Sequence, residues 1–207
     1  LKQVNITRIY GDSKLNHQLI RAIKGFKLES LNYQIFSSSK SEIIDTLHRF
    51  TKLKSLAIHG TPVSEKMLHK GLDTKLFKLP KLLHLDIRWH EETPMSIVRT
   101  ISNMRQMQTF NIKLNLQDKK DINSQITQFD LTTLELHLTI KKKLAIEFEQ
   151  FIMKFHNLQN LILNLNLMKD DSSFKYLGEI FNKLTQLDSL SITFSPSPKG
   201  SFSVTSF

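Results

Sequence analysis

The chain has 207 residues, of which 40% are hydrophobic and 23% charged, a composition typical of a folded protein rather than a disordered one. It contains no cysteine, which excludes disulfides, thiolate metal sites and a cysteine nucleophile, and no run approaches 18 consecutive apolar residues, so no membrane-spanning helix is predicted. The net charge of +10 is concentrated, because residues 1–105 hold 18 Lys/Arg and 9 Asp/Glu whereas residues 106–207 hold 11 and 10. Such a basic excess favours an anionic partner for the N-terminal half.

A six-residue pattern, L-x-x-L-x-L with apolar substitutions, recurs along the chain. Its eight instances begin at Leu1, Leu28, Leu53, Leu82, Met107, Leu131, Leu158 and Leu187. The steps between them are 27, 25, 29, 25, 24, 27 and 29 residues. From the second instance on, an apolar residue precedes each start by two or three positions, beginning with Phe26 and Phe50. So regular a period predicts a stack of structural repeats.

Segments with helical spacing lie between these instances. In the stretch KKKLAIEFEQFIMKFHN, an apolar stripe recurs at the intervals of one helix face, and it includes Leu144, Phe148 and Phe151. Thr93-Pro94 places a capping residue before a proline, which is typical of a helix start. The predicted unit is therefore strand, turn, helix, turn.

The strands alternate between apolar and polar residues. In LELHLTI, Leu134, Leu136 and Leu138 alternate with Glu135 and His137. A doubly wound sheet, covered on both faces, would instead carry continuous apolar runs. The alternation predicts an α/β protein in which a parallel sheet has one bare face and helices on the other.

This pattern resembles the leucine-rich repeat family over residues 1–195. The resemblance implies a right-handed, horseshoe-shaped solenoid of about eight strands, with the parallel sheet on the concave face and the helices on the convex face. In that family a polar residue, usually Asn, follows each strand. Asn115 and Asn166 match this rule whereas Phe36 departs from it, so the chain resembles an irregular member. Residues 196–207 are predicted to form a Ser/Pro-rich tail or linker.

Neither end of the repeat pattern carries a polar cap, and the first residue is Leu1 rather than Met. Because repeat arrays need capped ends, we expect these residues to be part of a longer array or to be covered by another protein. The lack of cysteine favours a reducing compartment. We therefore expect an intracellular protein, cytoplasmic or nuclear, and leave import into an organelle open.

The sequence offers no catalytic constellation. No nucleotide-binding glycine motif and no nucleophile-elbow motif occurs. His84 and His90 lie six residues apart on a predicted strand, about 20 Å in extended chain, which is too far to share a metal ion. We predict no enzyme activity, no metal site, no cofactor and no small-molecule substrate.

Two rows of accessible strand side chains are the candidate partner-binding surface. The first row contains His59, Arg88, Lys113 and His137, and the row beside it contains Asp86, Asn111 and Glu135. With strands about 4.8 Å apart, the first row would form a stripe of about 15 Å. One interpretation is a recognition stripe for an acidic peptide loop or a phosphate, and the other is a solvated sheet face of mixed charge.

A second candidate surface is a basic patch between the third and fourth strands. It comprises Lys66, Lys70, Lys75, Lys78 and Lys81. Such a patch favours RNA, lipid headgroups or an acidic protein, and the alternative is a lysine-rich solvated helix face. We expect most phenylalanines to lie in the core rather than among these lysines as stacking platforms.

These features favour a non-catalytic scaffold for protein–protein interaction, a structural subunit of a larger complex. The first alternative is an RNA-binding or ribonucleoprotein component that uses the basic N-terminal half. The second, by analogy with other repeat proteins, is a substrate receptor of a ubiquitin ligase.

Overall fold

The computed structural model describes residues 2–9, 18, 21–23, 25–35, 42–60, 71–88, 95–114, 129–140, 144–167, 173–196 and 202–205. The chain divides into two compact units, Leu1–Met107 (unit 1) and Gln108–Phe207 (unit 2). No helix within the described ranges is both long and apolar enough to cross a membrane.

Unit 1 contains four strands that pair in parallel in chain order. They are β1 (Gln3–Ile9), β2 (Ser30–Ile35), β3 (Ser55–Gly60) and β4 (His84–Arg88). The helices are α1 (Glu42–Thr46), continued by a 3-10 helix at Leu47–Arg49, and α2 (Met95–Ser102). Residues 21–23 and 71–76 are also helical. Because adjacent parallel strands need a crossover connection, these helical segments lie where the sheet topology requires them.

The described residues of unit 2 form five strands and two helices. Its elements are β5 (Thr109–Leu114), β6 (Thr133–Ile140), α3 (Leu144–Ile152), β7 (Asn160–Leu167), α4 (Ser173–Phe181), β8 (Ser189–Pro196) and β9 (Phe202–Thr205). Strands β5 to β8 pair in parallel in chain order, and β9 pairs antiparallel with β8. The sequence pattern does not predict β9, which lies within the expected tail.

The predicted strands are confirmed. Each of the eight parallel strands begins two residues after the start of a leucine pattern, from Gln3 after Leu1 to Ser189 after Leu187. Within each unit the strand register also follows the repeat alignment, for example Ser30 opposite Ser55 and Ser55 opposite His84. The α/β class with parallel strands is therefore correct.

A repeated set of backbone hydrogen bonds holds neighbouring repeats in register. The carbonyl of Lys2 accepts from the amides of Glu29 and Ser30, at 2.7 and 3.0 Å. The carbonyls at the equivalent positions, Glu29, Lys54, Gln108, Thr132 and Gln159, likewise each accept two amides from the next repeat. Since the same carbonyl serves both donors each time, a one-residue slip would break this pattern and turn the buried side chains outward.

The leucines of the pattern form the core of each unit. Leu56 and Ile58 of β3 are buried while their neighbours Ala57 and His59 are half-buried, and β6 and β7 alternate in the same way. The helical segments add further buried residues, such as Leu72, Leu76, Ile97, Val98, Ile101, Phe148, Phe151 and Ile152. Strands β2, β3, β4, β6 and β7 therefore have one buried face and one face that solvent reaches, and the side of the strands that carries this second face is called the accessible face below.

Candidate functional surfaces

A group on the accessible face of unit 1 centres on Asp86. Nε2 of His59 lies 3.3 Å from Asp86 Oδ2, and Nε of Arg88 donates to the same carboxylate at 3.1 Å. The amide of Gln34 lies 3.4 Å from Nδ1 of His59. Because that amide nitrogen donates, Nδ1 accepts, and the proton of a neutral His59 sits on Nε2 and points to Asp86. We call these four residues the Asp86 cluster.

The pKa of Asp86 reflects two opposing influences. Burial raises it, since only 26% of the side chain is exposed, but the hydrogen bond from His59 and the charge and hydrogen bond of Arg88 outweigh burial. The result is a pKa below the ordinary value of 3.8. Asp86 is thus a carboxylate at neutral pH and offsets the charge of Arg88 beside it.

A second group lies on the accessible face of unit 2 and centres on Glu135. Its Oε2 accepts from Nδ2 of Asn111 at 2.8 Å, and its Oε1 lies 3.0 Å from Nε2 of His137 and 3.3 Å from Nδ2 of Asn164. The four residues come from three neighbouring strands, β5, β6 and β7. We call them the Glu135 cluster.

Asn111 is on the predicted row but not exposed as expected. Only 5% of the residue is accessible, and its amide donates to Glu135 of the next strand. Its Oδ1 is buried and makes no hydrogen bond in the described part of the chain. Asn111 therefore holds Glu135 in place rather than offering itself to a partner.

The predicted stripe lies partly in each unit. In unit 1, His59 is opposite Arg88 on the neighbouring strand, and in unit 2 Lys113 is opposite His137. Within each unit the predicted neighbours are therefore brought together. Asp86 of the second row binds His59 and Arg88 of the first row, and Glu135 binds His137.

The predicted basic patch is divided. Lys66 and Lys70 lie outside the described residues, whereas Lys75, Lys78 and Lys81 lie in or after the helical segment 71–76. Lys78 lines a groove of about 530 Å³ whose other residues are Asp73, Thr74, Phe77, Ser96, Arg99, Thr100 and Asn103. Lys81 lines a different groove.

That second groove lies in unit 1 at the end of the sheet where the strands begin, and we call it the lysine groove. Its volume is about 630 Å³, and it is lined by Lys2, Gly25, Phe26, Lys27, Glu29, Lys52, Lys54 and Lys81. Glu29 pairs with Lys54 at 2.9 Å and with Lys2 at 3.7 Å. The hydrogen bond and charge of Lys54, aided by Lys2, lower the pKa of Glu29 below its ordinary value of 4.5.

Phe26 corrects the expectation about phenylalanines on basic surfaces, because it is 42% exposed at the edge of this groove. In four other repeats a buried apolar residue stands three positions before the pattern start, where its carbonyl accepts from the starting residue's amide, as Phe50 does for Leu53, whereas the buried Phe129 stands two positions before Leu131. In the second repeat, Gly25 occupies that position and Phe26 follows it. Phe77, 66% exposed, is a second phenylalanine outside the core.

Sequence reasoning also missed the lysine groove itself. A signal for it is present, because Lys27, Lys52 and Lys81 each stand immediately before the first leucine of a pattern. In the later repeats the same position holds Gln106, Asp130, Asn157 and Gln186. Alignment of the repeats by position, rather than by helix and strand, would have separated this row from the other lysines.

Among the residues with described placement, no group of three or more His, Asp or Glu is arranged to hold a metal ion. No family model matches the chain, and no curated protein matches it either.

Proposed function

We propose that this chain is a non-catalytic scaffold that binds a protein partner through the accessible face of its strands. The observation that carries the proposal is the pair of hydrogen-bonded groups on that face, the Asp86 cluster and the Glu135 cluster. In both, a half-buried carboxylate is held by side chains from neighbouring strands. The polar groups are therefore in defined positions before a partner arrives.

Such an arrangement suits recognition of a folded surface. Side chains that are already ordered lose little conformational entropy on binding, which favours affinity. Within each unit, a carboxylate and a cation on the accessible face, Asp86 with Arg88 in unit 1 and Glu135 with Lys113 in unit 2, present both signs of charge on neighbouring positions. A partner must match that pattern, so the surface favours selectivity and a fast encounter more than raw affinity.

The repeat geometry supports a solenoid as the framework for this face. Within each unit, one described repeat passes its backbone hydrogen bonds to the next through one carbonyl that accepts twice, which is how a one-dimensional stack is built. Helical crossovers between parallel strands are right-handed in almost all proteins. We infer a right-handed leucine-rich-repeat solenoid whose accessible strand face is the concave one.

The test is affinity capture with matched charge reversals. Arg88→Glu alters the accessible face at a residue whose side chain is 59% exposed. Arg105→Glu makes the same chemical change at an exposed turn position that is not on a strand. Both purified variants, with melting curves to confirm folding, are immobilised beside the wild type, incubated with extract of the native cells and analysed by quantitative mass spectrometry.

We expect proteins retained by the wild type and by Arg105→Glu to fall about tenfold with Arg88→Glu, the size of one lost interfacial charge contact. The purified partner should show the same ratio of Kd values. Retention that is unaffected by Arg88→Glu, or that falls equally with Arg105→Glu, would remove the accessible face as the binding site.

A further inference from the structure

We propose that the lysine groove of unit 1 binds single-stranded nucleic acid, with phosphates along its lysine row and an unpaired base against Phe26. This site is on a different surface from the accessible face, at the end of the sheet where β1 to β4 begin. It therefore goes beyond the scaffold function and does not depend on it.

The row of lysines is a product of the repeat. Lys27, Lys52 and Lys81 each lie three residues before the first residue of a strand, and those first residues, Ser30, Ser55 and His84, are opposite one another in the sheet. All three lysines are exposed. With neighbouring strands about 4.8 Å apart, the row is about 10 Å long. A stacked single strand places one phosphate per about 3.4 Å of its axis, so the row spans about three phosphates.

The charge of the groove is left largely uncompensated. Among the lining residues that the structure describes, Glu29 alone is acidic, and its ion pairs are with Lys2 and Lys54. Lys27, Lys52 and Lys81 form no ion pair with any residue whose placement is described. Five lysines around one groove repel one another, and a polyanion relieves that repulsion while it releases its own counterions.

Phe26 distinguishes nucleic acid from an acidic peptide. A peptide rich in Asp or Glu would pair with the lysines, but its carboxylates would make no favourable contact with the aromatic ring of Phe26, which is 42% exposed. Every nucleobase has a face that stacks on such a ring, and this contact is available only when the base is unpaired. Lysines that track a backbone beside an aromatic platform are the combination found in single-strand binding surfaces. The groove volume of about 630 Å³ is also in the range of ligand sites.

The experiment is fluorescence anisotropy of the full chain with a fluorescein-labelled 12-nucleotide RNA of mixed sequence, at several salt concentrations. The groove variants are Lys52→Glu/Lys81→Glu and Phe26→Ala. The matched control is Lys75→Glu/Lys78→Glu, which makes the same charge change in the same unit outside the lysine groove. Because all the lysines changed lie at the surface or partly exposed, the variants should fold, and melting curves check this.

We expect wild-type binding at low salt, an affinity at least tenfold lower in Lys52→Glu/Lys81→Glu, and about fivefold lower or more in Phe26→Ala. The slope of log affinity against log salt should fall by about 1.4 when two phosphate contacts are lost. The control pair should change affinity by less than threefold. A duplex of the same sequence should bind more weakly than the single strand and should not respond to Phe26→Ala.

Three results would overturn the proposal. One is no RNA binding at low salt, and another is equal loss in the groove and control pairs, which would mean that only net charge matters. The third is a fluorescein-labelled ten-residue polyglutamate that binds as tightly as the RNA while Phe26→Ala has no effect. That last result would assign the groove to an acidic protein segment instead.

Discussion

Replacement of Glu135 by alanine tests whether the Glu135 cluster is a fixed structural unit. The side chain of Glu135 is 25% exposed, and it is the acceptor for the Nδ2 group of Asn111, a residue with 5% exposure. In Glu135→Ala that donor stays buried without its acceptor, and an unsatisfied buried polar group costs about 1–3 kcal/mol. His137, 40% exposed, reaches water more easily and adds less. We therefore expect the free energy of unfolding of unit 2 to fall by about 2 kcal/mol.

The assay is urea denaturation followed by far-ultraviolet circular dichroism, with Glu149→Ala as the control. Glu149 is paired with Lys183 at the surface, with side chains 35% and 52% exposed, and loss of such a pair costs less than about 1 kcal/mol. A double-mutant cycle with Asn111→Ala isolates the coupling. Once Asn111 is alanine, Glu135→Ala should cost less than about 1 kcal/mol, because no buried donor remains. An equal cost of Glu135→Ala in both backgrounds, or a cost no larger than that of Glu149→Ala, would refute this reasoning.

Three further predictions concern the fold. Leu161 is buried, so Leu161→Ala should lower the free energy of unfolding by about 2–5 kcal/mol, whereas Ile162→Ala, on the accessible face of the same strand, should lower it by less than about 1.5 kcal/mol. Equal urea midpoints for the two variants would contradict the alternation of faces. The pKa of Asp86 is lowered in the folded state, so the free energy of unfolding of the wild type should exceed that of Asp86→Asn by its full amount at neutral pH, and this excess should decline as the pH falls through and below 3.8. Urea titrations at successive pH values measure it. An excess that does not change with pH would contradict the Asp86 cluster. Gly178→Ala, at an exposed site in α4 where an added Cβ meets nothing within 4 Å, should raise stability by about 0.5–1 kcal/mol, and Gly71→Ala, at a φ of 88°, should lower it by about 1 kcal/mol, with thermal melts as the check.

The strands could be predicted from the sequence because their signal is local and repeated. Each leucine pattern places two apolar side chains two residues apart in the strand, and burial of that face determines the register of every neighbour. The same hydrogen bonds at the same position then set where each strand begins, two residues after the pattern start. The pattern at Leu53 alone would not distinguish a strand from another short apolar segment, but eight patterns at a regular period do.

The features that the sequence did not predict depend on contacts between repeats or on backbone pairing alone. Asn111 is buried, and the acceptor of its amide is Glu135, 24 positions later in the chain. Phe26 is exposed although Phe129, which stands equally far before its own pattern start, is buried, so the apolar pattern alone does not separate the two. Strand β9 pairs with β8 through backbone groups, and its apolar–polar alternation, Phe202 to Thr205, covers only four residues and lies outside the repeat pattern.

The most direct measurement of the central claim is histidine footprinting of the chain with and without its captured partner. Diethyl pyrocarbonate labels accessible imidazoles, and His59 and His137 lie on the accessible face whereas His156 is exposed in a turn. We predict that the partner protects His59 and His137 and leaves the labelling of His156 unchanged. Unchanged labelling of both strand histidines in the saturated complex would show that the partner binds elsewhere.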